Sequence, residues 1–448
     1  MIVMKFGGTS VESRAAITRV AGIVRSHLEQ KPVVVVSAMG KTTNKLLAIA
    51  GAAVTGKLEA ALEQLAELRV FHLQEAEGFG IDSEIGAHFD QLEDMVKGLA
   101  IMGEFTPRAT DAISAYGERL SSKIAAALFR TEGIDAVHVD ARDVIVTDRR
   151  HTQAAPLFVE TDERLAKRLL PLTRTQVPVL GGFIGSTEDG ITTTLGRGGS
   201  DYTASIVGAG IGADEIQIWT DVDGMLTTDP TLLAEAQRVT TCSFAEAAEL
   251  AYFGAKVLHP NTVLPAIEKN IPVRILNSRR PEVEGTLIVS QPPPSESPIR
   301  SIACKRKITL VNIVSSRMLM AHGFLRGIFE IFDRHETSVD MLATSEVSVS
   351  LTIDNAAALD TICAELAKFA DVTVEENMAI VCLVGENIRH CANTAARVFG
   401  ALGGIRTRMV SQGASQLNIS LVVDAGELLR AVESLHREFF AVGGQAAP

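Results

Sequence analysis

Three glycine-rich segments of the sequence combine glycine with a cationic side chain, a combination suited to binding phosphate. Each follows a predicted strand and begins a predicted helix. Glycine there lets the backbone approach an anion, and the free N–H groups of the helix start face it. One such segment alone could be an ordinary tight turn. Three in one domain, which carry Lys5, Lys41 and Arg197, predict a site for a phosphorylated ligand; they are KFGGTS (Lys5–Ser10), SAMGKTTN (Ser37–Asn44) and TLGRGGSDYTAS (Thr194–Ser205).

Two other glycine patterns are not expected to bind a nucleotide. Gly40-Lys41-Thr42 matches the end of a P-loop, but that motif needs a glycine where this chain has Val35. The segment 208–213 fits a loose G-x-G-x-x-[GA] pattern. It ends a helical pattern instead of starting one, which is the reverse of the dinucleotide arrangement.

Acidic residues accompany the cationic loops. Asp201 lies inside the third glycine loop, Glu118 lies in SAYGERLSSK, and Asp221 and Asp223 close the run IQIWTDVDG. A carboxylate beside phosphate-binding cations can orient them and help to hold Mg²⁺. Simpler interpretations stay open, since Glu118 could form a surface ion pair and Asp223 could begin a turn. Glu246, three residues after a serine, predicts a helix capping box and no further role.

The elements that must position these residues follow an α/β pattern through residue 290. Short β-rich runs alternate with longer helical patterns, which is typical of a sheet between helices. Thr9 and Glu12 predict a capping box at the first helix. The predicted strands are Ile2–Phe6, Pro32–Ser37, Val177–Ile184, Ile216–Val222 and Val273–Leu276.

The C-terminal third repeats itself. Four prolines in QPPPSESP predict a boundary, so we expect a first domain over 1–290 and a linker over 291–305. Beyond it, 347–354 matches 417–424 at an offset of 70 residues. Each copy reads as a βαββαβ unit, over 306–375 and 376–448. Two such units could form a groove for a small ligand or could be packing modules.

Composition excludes several classes of protein. The net charge is 42 − 54 = −12, which disfavours nucleic-acid and anionic-membrane binding. No apolar run approaches the roughly 20 residues of a membrane span. The five cysteines have no metal-binding spacing, and neither a histidine cage nor a hydrolase triad is recognisable. We therefore expect a cytoplasmic protein, most simply an enzyme, without a dedicated metal site.

The motifs together resemble those of aspartate kinases in the amino acid kinase superfamily. The resemblance follows KFGGTS, SAYGERLSS, GGFIGSTEDGITTTLGRGGSDYTA, WTDVDG…TTDP and FGAKVLHP, in that order, and spans nearly the whole chain. The tail resembles paired ACT domains, and TSEVSVSLTID is similar to the lysine-sensitive monofunctional class. The resemblance implies an amino acid kinase-like αβα sandwich followed by two ACT-type regulatory domains. It also implies transfer of the ATP γ-phosphoryl group to the β-carboxylate of L-aspartate, the first step of lysine, threonine and methionine biosynthesis.

The resemblance also implies site residues. Mg²⁺ would be held mainly through the nucleotide phosphates, Arg197 would bind the α-carboxylate of aspartate, and Glu118 its ammonium group. At Leu226 and Thr231 the family usually has Tyr and Arg, so ATP contacts there would be remodelled. The implied catalytic residues are Lys5, Gly8, Ser37 and Asp201; those for aspartate are Thr43, Glu118, Arg197 and Ser200; those for ATP are Lys5, Gly7, Gly8, Thr220, Asp221 and Lys256.

For regulation, the resemblance implies an amino-acid effector, lysine, bound by the first ACT unit, and a homodimer or homotetramer built through the ACT domains. Two alternatives stay open: a superfamily kinase for another acceptor, and an amino-acid sensor whose kinase domain has decayed. The implied effector residues are Met318, Ala321, Phe324, Leu325, Ser338, Val339, Asp340, Ser345 and Glu346.

Overall fold

The computed structural model describes residues 1–254, 260–294, 297–318, 322–386, 388, 391–413 and 415–440. Contacts within the chain divide it into two compact units. The first comprises Met1–Met225 and Leu258–Pro292, and the second Leu226–Val257 and Pro293–Pro448.

The elements are numbered here in chain order. The strands are β1 Ile2–Phe6, β2 Pro32–Val36, β3 Ala136–Val139, β4 Val177–Gly181, β5 Ile184–Ser186, β6 Thr192–Thr194, β7 Glu215–Thr220, β8 Thr241–Ser243, β9 Val273–Asn277, β10 Thr286–Val289, β11 Ser301–Val314, β12 Met341–Thr344, β13 Ser348–Ile353, β14 Asp371–Val384, β15 Thr407–Gln412 and β16 Asn418–Asp424. The helices are α1 Arg14–Arg25, α2 Thr42–Val54, α3 Leu58–Glu75, α4 Asp82–Met102, α5 Pro107–Ser114, α6 Tyr116–Thr131, α7 Phe158–Arg164, α8 Gly199–Ile211, α9 Phe244–Tyr252, α10 Leu264–Glu268, α11 Phe324–Arg334, α12 Leu359–Leu366, α13 Thr394–Leu402 and α14 Leu428–Phe440.

The first unit is an αβα sandwich, as the sequence predicts. Its strands lie in the order β3-β4-β2-β1-β7-β9-β10, parallel except for β10. Met4 and Phe6 point into a core shared with the helices α1 to α6. On the opposite face Gly208 of α8 lies against Ile216. Strands β1, β2 and β4 are consequently buried on both faces, which explains their continuous apolar sequences.

The first helix starts later than its sequence indicates. Residues Gly8–Ser10 form a 3₁₀ turn, and Ser13 is the N-cap of α1, with its hydroxyl accepting from the N–H of Ala16 at 3.3 Å. The capping box predicted for Thr9 and Glu12 is therefore wrong. The short turn keeps Gly7 and Gly8 outside the helix, where their backbone stays accessible.

The second unit contains a six-stranded antiparallel sheet in the order β12-β13-β11-β14-β16-β15. The copies are interleaved, because both long central strands serve two cores. The first part of β11 pairs with the end of β14, and Ile302 packs with Val381 in the core of the second copy. The later part of β11 places Val311 in the core of the first copy. Strand β11 begins at Ser301, within the segment where the sequence predicts a linker.

A search of the described residues for a helix long and apolar enough to cross a membrane found none.

Candidate active site

The first glycine loop, Ser37 and the residues at the ends of neighbouring strands line one edge of the parallel sheet. The register aligns Phe6 with Val36 and Trp219, and this row continues to Gly181 and Leu276. Backbone hydrogen bonds extend the ladder one residue further, from Gly7 N–H to the Trp219 carbonyl at 3.0 Å and from Ser37 N–H to the Phe6 carbonyl at 3.1 Å. Ligands of open α/β sheets bind at this carboxyl edge.

Lys5 and Asp201 form an ion pair at this edge, with Lys5 Nζ 2.6 Å from Asp201 Oδ1. The two side chains are only 10% and 16% exposed. Lys5 comes from β1, and Asp201 from the first turn of α8. A β-carbon at Gly7 would lie 3.6 Å from Lys5 Nζ, so the glycine leaves the ammonium open on that side. The pair can present a fixed ammonium to a phosphoryl group.

The third glycine loop approaches β4 closely. A β-carbon at Gly182 would lie 2.7 Å from both Cα and Cβ of Ser200, so only glycine lets the start of α8 lie here. Arg197 lies in the loop before this helix, and its side chain is exposed. Within the described residues, Arg197 has no ion-pair or hydrogen-bond partner. Its guanidinium is thus available for an external carboxylate.

Glu118 is buried at the start of α6, so it does not form the surface ion pair that the sequence left open. It is 5% exposed and accepts from Ala38 N–H at 3.3 Å and from the Thr43 hydroxyl at 3.4 Å. Burial raises the pKa of Glu118 to about 8, with these hydrogen bonds acting in the opposite direction. Gly181 makes the burial possible, because a β-carbon there would lie 2.8 Å from the Glu118 carbonyl. A cationic group entering this site would favour the ionised form of Glu118, which would then supply the counter-charge.

Thr220 and Asp221 end the next strand, β7, and lie beside residues that the sequence did not single out. Ser278 donates its N–H to the Thr220 carbonyl at 2.8 Å, and its hydroxyl lies 2.7 Å from that of Ser10. Asp223 accepts from the Asn277 amide at 2.6 Å. It also forms an ion pair with Arg280. The polar run NSRR, which begins at Asn277, the last residue of β9, was the available signal for these partners.

Asp111 is a further buried acid that sequence reasoning missed. It is fully buried in α5 and binds the segment around His151 as well as Thr194 of β6. No local pattern marks it, because its partners lie 40 to 83 residues away.

The resemblance assigns three further positions to the nucleotide side of the site. Lys256 lies outside the described residues. Leu226 and Thr231 belong to the second unit. There the Leu226 carbonyl accepts from the Ser301 hydroxyl at 2.7 Å, and Thr231 is bound to Asp229 in a local turn through its N–H at 2.8 Å and its hydroxyl at 2.7 Å.

The residues expected to bind an effector lie around α11 and the β12–β13 hairpin, except Ala321, which is outside the described residues. Asp340 is 5% exposed and already holds an ammonium group, since Lys305 Nζ lies 2.6 Å from its Oδ1 and 2.7 Å from Oδ2 of Asp354. The Lys305 ammonium also lies 5.7 Å from the ring centre of Tyr252. Of the others, Met318, Phe324 and Val339 pack on the core of the first copy, whereas Leu325, Ser338, Ser345 and Glu346 are exposed.

Glu246 does more than the predicted capping box. The box with Ser243 is present, which confirms that prediction. The carboxylate is also fully buried, accepts from the N–H of Glu386 at 2.7 Å and lies 3.4 Å from Arg300. The expectation of no further role is therefore wrong.

A dedicated metal cage is absent from the part of the chain that the structure describes: no three His, Cys, Asp or Glu side chains are grouped suitably. Asp201, in the first turn of α8, and Asp221, directly after β7, are two carboxylates at the carboxyl edge of the sheet.

Comparison with known proteins agrees with this geometry. The model of the amino acid kinase family matches residues 1–277, and that of the ACT domain matches 381–439. Aspartokinase 1, chloroplastic, from Arabidopsis thaliana is 41% identical over 458 residues, which cover 98% of this chain and 80% of that protein. The chain belongs to the amino acid kinase family, and within it to the aspartokinases.

Two further relatives bear on this aspartokinase. Lysine-sensitive aspartokinase 3 of Escherichia coli (strain K12) is 36% identical, over 98% of this chain and 99% of that protein. The crystal structure of E. coli aspartokinase III in complex with lysine and aspartate has a TM-score of 0.86 and covers 98% of this chain and 100% of that chain, at 36% identity. An αβα kinase fold followed by ACT regulatory domains is thereby confirmed.

Proposed function

We propose that the chain transfers the γ-phosphoryl group of ATP to the β-carboxylate of L-aspartate, giving 4-phospho-L-aspartate. The observation that carries the proposal is the ion pair of Lys5 and Asp201 at the sheet edge, together with the buried carboxyl group of Glu118. Membership of the aspartokinases supports the same reaction, and a structure of the E. coli relative is described as a complex with aspartate and ADP. Phosphoryl transfer needs mainly in-line positioning and charge neutralisation.

Lys5 would neutralise the phosphoryl group as it moves. Asp201 would hold the ammonium in place, and the N–H groups of Gly8 and Ser37 would donate to the same oxygens. Burial strengthens these contacts, because charges interact more strongly away from water. ATP would lie along Gly7, Thr220 and Asp221.

L-Aspartate would lie between α6 and the glycine loop. Its ammonium group would pair with Glu118, its α-carboxylate with the exposed guanidinium of Arg197, and Thr43 and Ser200 would donate neutral hydrogen bonds. An acceptor with two carboxylates and one ammonium group matches this donor and acceptor set.

Mg²⁺ would be held mainly by the nucleotide phosphates, with Asp201 or Asp221 as the carboxylates able to complete its shell. Octahedral Mg²⁺ is often bound in this way, through one or two carboxylates plus phosphates. When bound, the ion would neutralise charge that develops on the phosphates.

Lysine is the proposed effector, and the repeat indicates which copy binds it. At the offset of 70 residues, Asp340 and Ser338 of the first copy correspond to Val410 and Arg408 of the second. Ser345 corresponds to Ser415, whose hydroxyl already donates to Glu249 at 2.7 Å. Among these equivalent positions of the repeat, the acid is Asp340 of the first copy. The ammonium group of Lys305 on Asp340 indicates that the geometry suits a primary amine.

The remaining proposals concern the domain boundaries, the oligomer and the compartment. We place the kinase domain at 1–290, the linker at 291–305 and the ACT units at 306–375 and 376–448, with 301–305 contributing to the second core. Phe329 and Phe399, at equivalent repeat positions, are exposed on α11 and α13, which supports a homodimer or homotetramer through these units. A reducing compartment such as the cytoplasm suits the five free cysteines.

Trapping the acyl phosphate with hydroxylamine tests the reaction. ATP, Mg²⁺ and L-aspartate should yield aspartyl hydroxamate, and saturating lysine should suppress it. Activity that lysine leaves unchanged, together with an unchanged melting temperature, would refute the effector alone. Absence of hydroxamate with aspartate would refute the proposed reaction; other acceptors would then be tried, and failure of all would favour a decayed sensor.

A further inference from the structure

Asp111 gathers three separate segments of the first unit onto one buried carboxylate. It lies in α5 and is fully buried. Its Oδ2 lies 2.7 Å from His151 Nδ1, and both of its oxygens accept from the Thr152 N–H, at 2.9 and 3.0 Å. The Thr194 hydroxyl donates to its Oδ1 at 2.5 Å.

These bonds fix an unusual backbone conformation. Thr152 has a φ of +71°, a region that costs a β-branched residue roughly 1–3 kcal/mol and persists only when its surroundings enforce it. The two oxygens of Asp111 on the Thr152 N–H provide that enforcement. A second link follows directly, since Ala154 donates its N–H to the Thr194 carbonyl at 2.9 Å.

The segment held in this way supports the glycine loop. A β-carbon at Gly196 would lie 3.2 Å from the Thr152 carbonyl and 3.4 Å from the Gln153 side chain, so the two backbones lie in contact. Gly196 directly precedes Arg197, and its carbonyl accepts from the Gly199 N–H, which begins α8, at 3.0 Å. Displacement of Thr152 would therefore shift the loop that carries the proposed aspartate ligands.

We infer that Asp111 is a positioning residue for the acceptor amino acid. It touches neither substrate and acts through the Thr152 and Thr194 backbone on Arg197. This inference rests on the proposed function and adds a residue to it. A residue with a purely structural role would, when substituted, lower the stability of the protein or weaken the binding of both substrates together. The side-chain hydrogen bonds of Asp111 instead lead to the glycine loop that carries Arg197. The ATP side, at Thr220 and Ser278, is held by other bonds.

The test compares Asp111→Asn with Asp148→Asn in steady-state kinetics. Asparagine at position 111 has only one accepting oxygen. In the native protein the Thr152 N–H and the Thr194 hydroxyl together donate to both oxygens of Asp111. Asp148 belongs to the same segment and accepts through one oxygen, Oδ1, from the N–H groups of Arg150 and Ala155, at 3.1 and 3.0 Å, so an amide can replace it there. Its Oδ2 lies 3.6 Å from Nε of the exposed Arg150, a surface ion pair that contributes little stability. We expect Asp111→Asn to raise KM for aspartate about tenfold or more and KM for ATP by less than about twofold, the scale of a misplaced positioning group.

Thr194→Val removes one donor with little change in shape and keeps the inference testable should Asp111→Asn fold poorly. It should raise KM for aspartate in the same direction, and its effect should not add to that of Asp111→Asn, since both act through one contact. Equal rises of both KM values, or equal effects of the 111 and 148 substitutions, would overturn the inference. If the wild-type protein forms no aspartyl hydroxamate, the proposed function is overturned. If the wild-type protein is active but KM for aspartate is unchanged in the Asp111→Asn variant, only the inference on Asp111 is overturned.

Discussion

The raised pKa of Glu118 makes aspartate binding depend on pH. The carboxyl group is buried and, without ligand, holds its proton up to about pH 8. The proposed site needs its charged form, because the substrate ammonium group would pair with it. Binding below pH 8 must therefore expel a proton from Glu118.

The size of the effect follows from linkage. Each pH unit below the pKa of the free protein costs about 1.4 kcal/mol, or a factor of ten in affinity. Between pH 8, where half of the free protein carries this proton, and pH 6 the affinity for aspartate should fall by about fiftyfold, with a plateau above about pH 9. Burial lowers the pKa of His72, His88 and His138 to about 4, so these three histidines titrate below this window.

The same pKa shift makes the folding stability of the protein depend on pH in the direction opposite to aspartate affinity. Because the folded pKa lies above the ordinary value of 4.5, the folded protein holds a proton that the unfolded chain releases. Stability from this group is full below about pH 4.5 and declines as pH rises to about 8, by an upper bound of about 5 kcal/mol. Glu118→Gln should thus raise the melting temperature at pH 8 while it weakens aspartate binding.

Isothermal titration of aspartate from pH 6 to 9, in two buffers of different ionisation enthalpy, measures both affinity and proton release. We expect close to one proton released per aspartate at pH 6 to 7 and none above pH 9. Glu118→Gln should abolish the release, and ATP binding serves as the internal control. A flat affinity for aspartate across this range, without proton release, would refute the assignment of Glu118.

Lys5→Met should lower kcat by about a hundredfold or more, the scale for removing a preorganised donor, and a stopped-flow rate near wild type would exclude Lys5 from the transfer step. Gly182→Ala should displace Ser200 and raise KM for aspartate, whereas Gly98→Ala, with open space around it inside α4, should leave kinetics unchanged and raise the melting temperature slightly. Lys305→Met should lower the lysine concentration for half-inhibition severalfold, because the chain's own ammonium group then no longer competes with the effector for Asp340. A higher concentration for half-inhibition would contradict this competition.

The carboxyl edge of the sheet could be predicted because its signals are local. A strand, a glycine pair and a helix start follow one another within ten residues at Ile2–Phe6 and beyond, and parallel strands bring such junctions to one edge. Lys5 and Asp201 belong to two of these junctions, so their meeting follows from the topology once the strand order is known. The wrong capping prediction at Thr9 shows the limit of such local signals. Thr9 and Ser13 are both suitable caps for the first helix, and the structure uses Ser13.

Asp111 could not be predicted, because its role depends on distant partners. An isolated aspartate in a short helix has no spacing to read, and its donors come from residues 40 to 83 positions later. The interleaving of the two ACT-type copies was equally hidden. The 70-residue offset identifies the copies, but a strand that serves two cores looks like one long strand in sequence.

Helix α9 shows why a family match and a packing boundary need not coincide. The amino acid kinase model extends to residue 277, yet α9 packs within the second unit. Its Glu246 is fully buried and bound to Glu386 N–H and Arg300, and its Glu249 accepts from Asn418 at 2.7 Å. Removing the partner of a buried charge of this kind typically costs several kcal/mol of stability. A shift of β14 or β16 should therefore carry α9 with it.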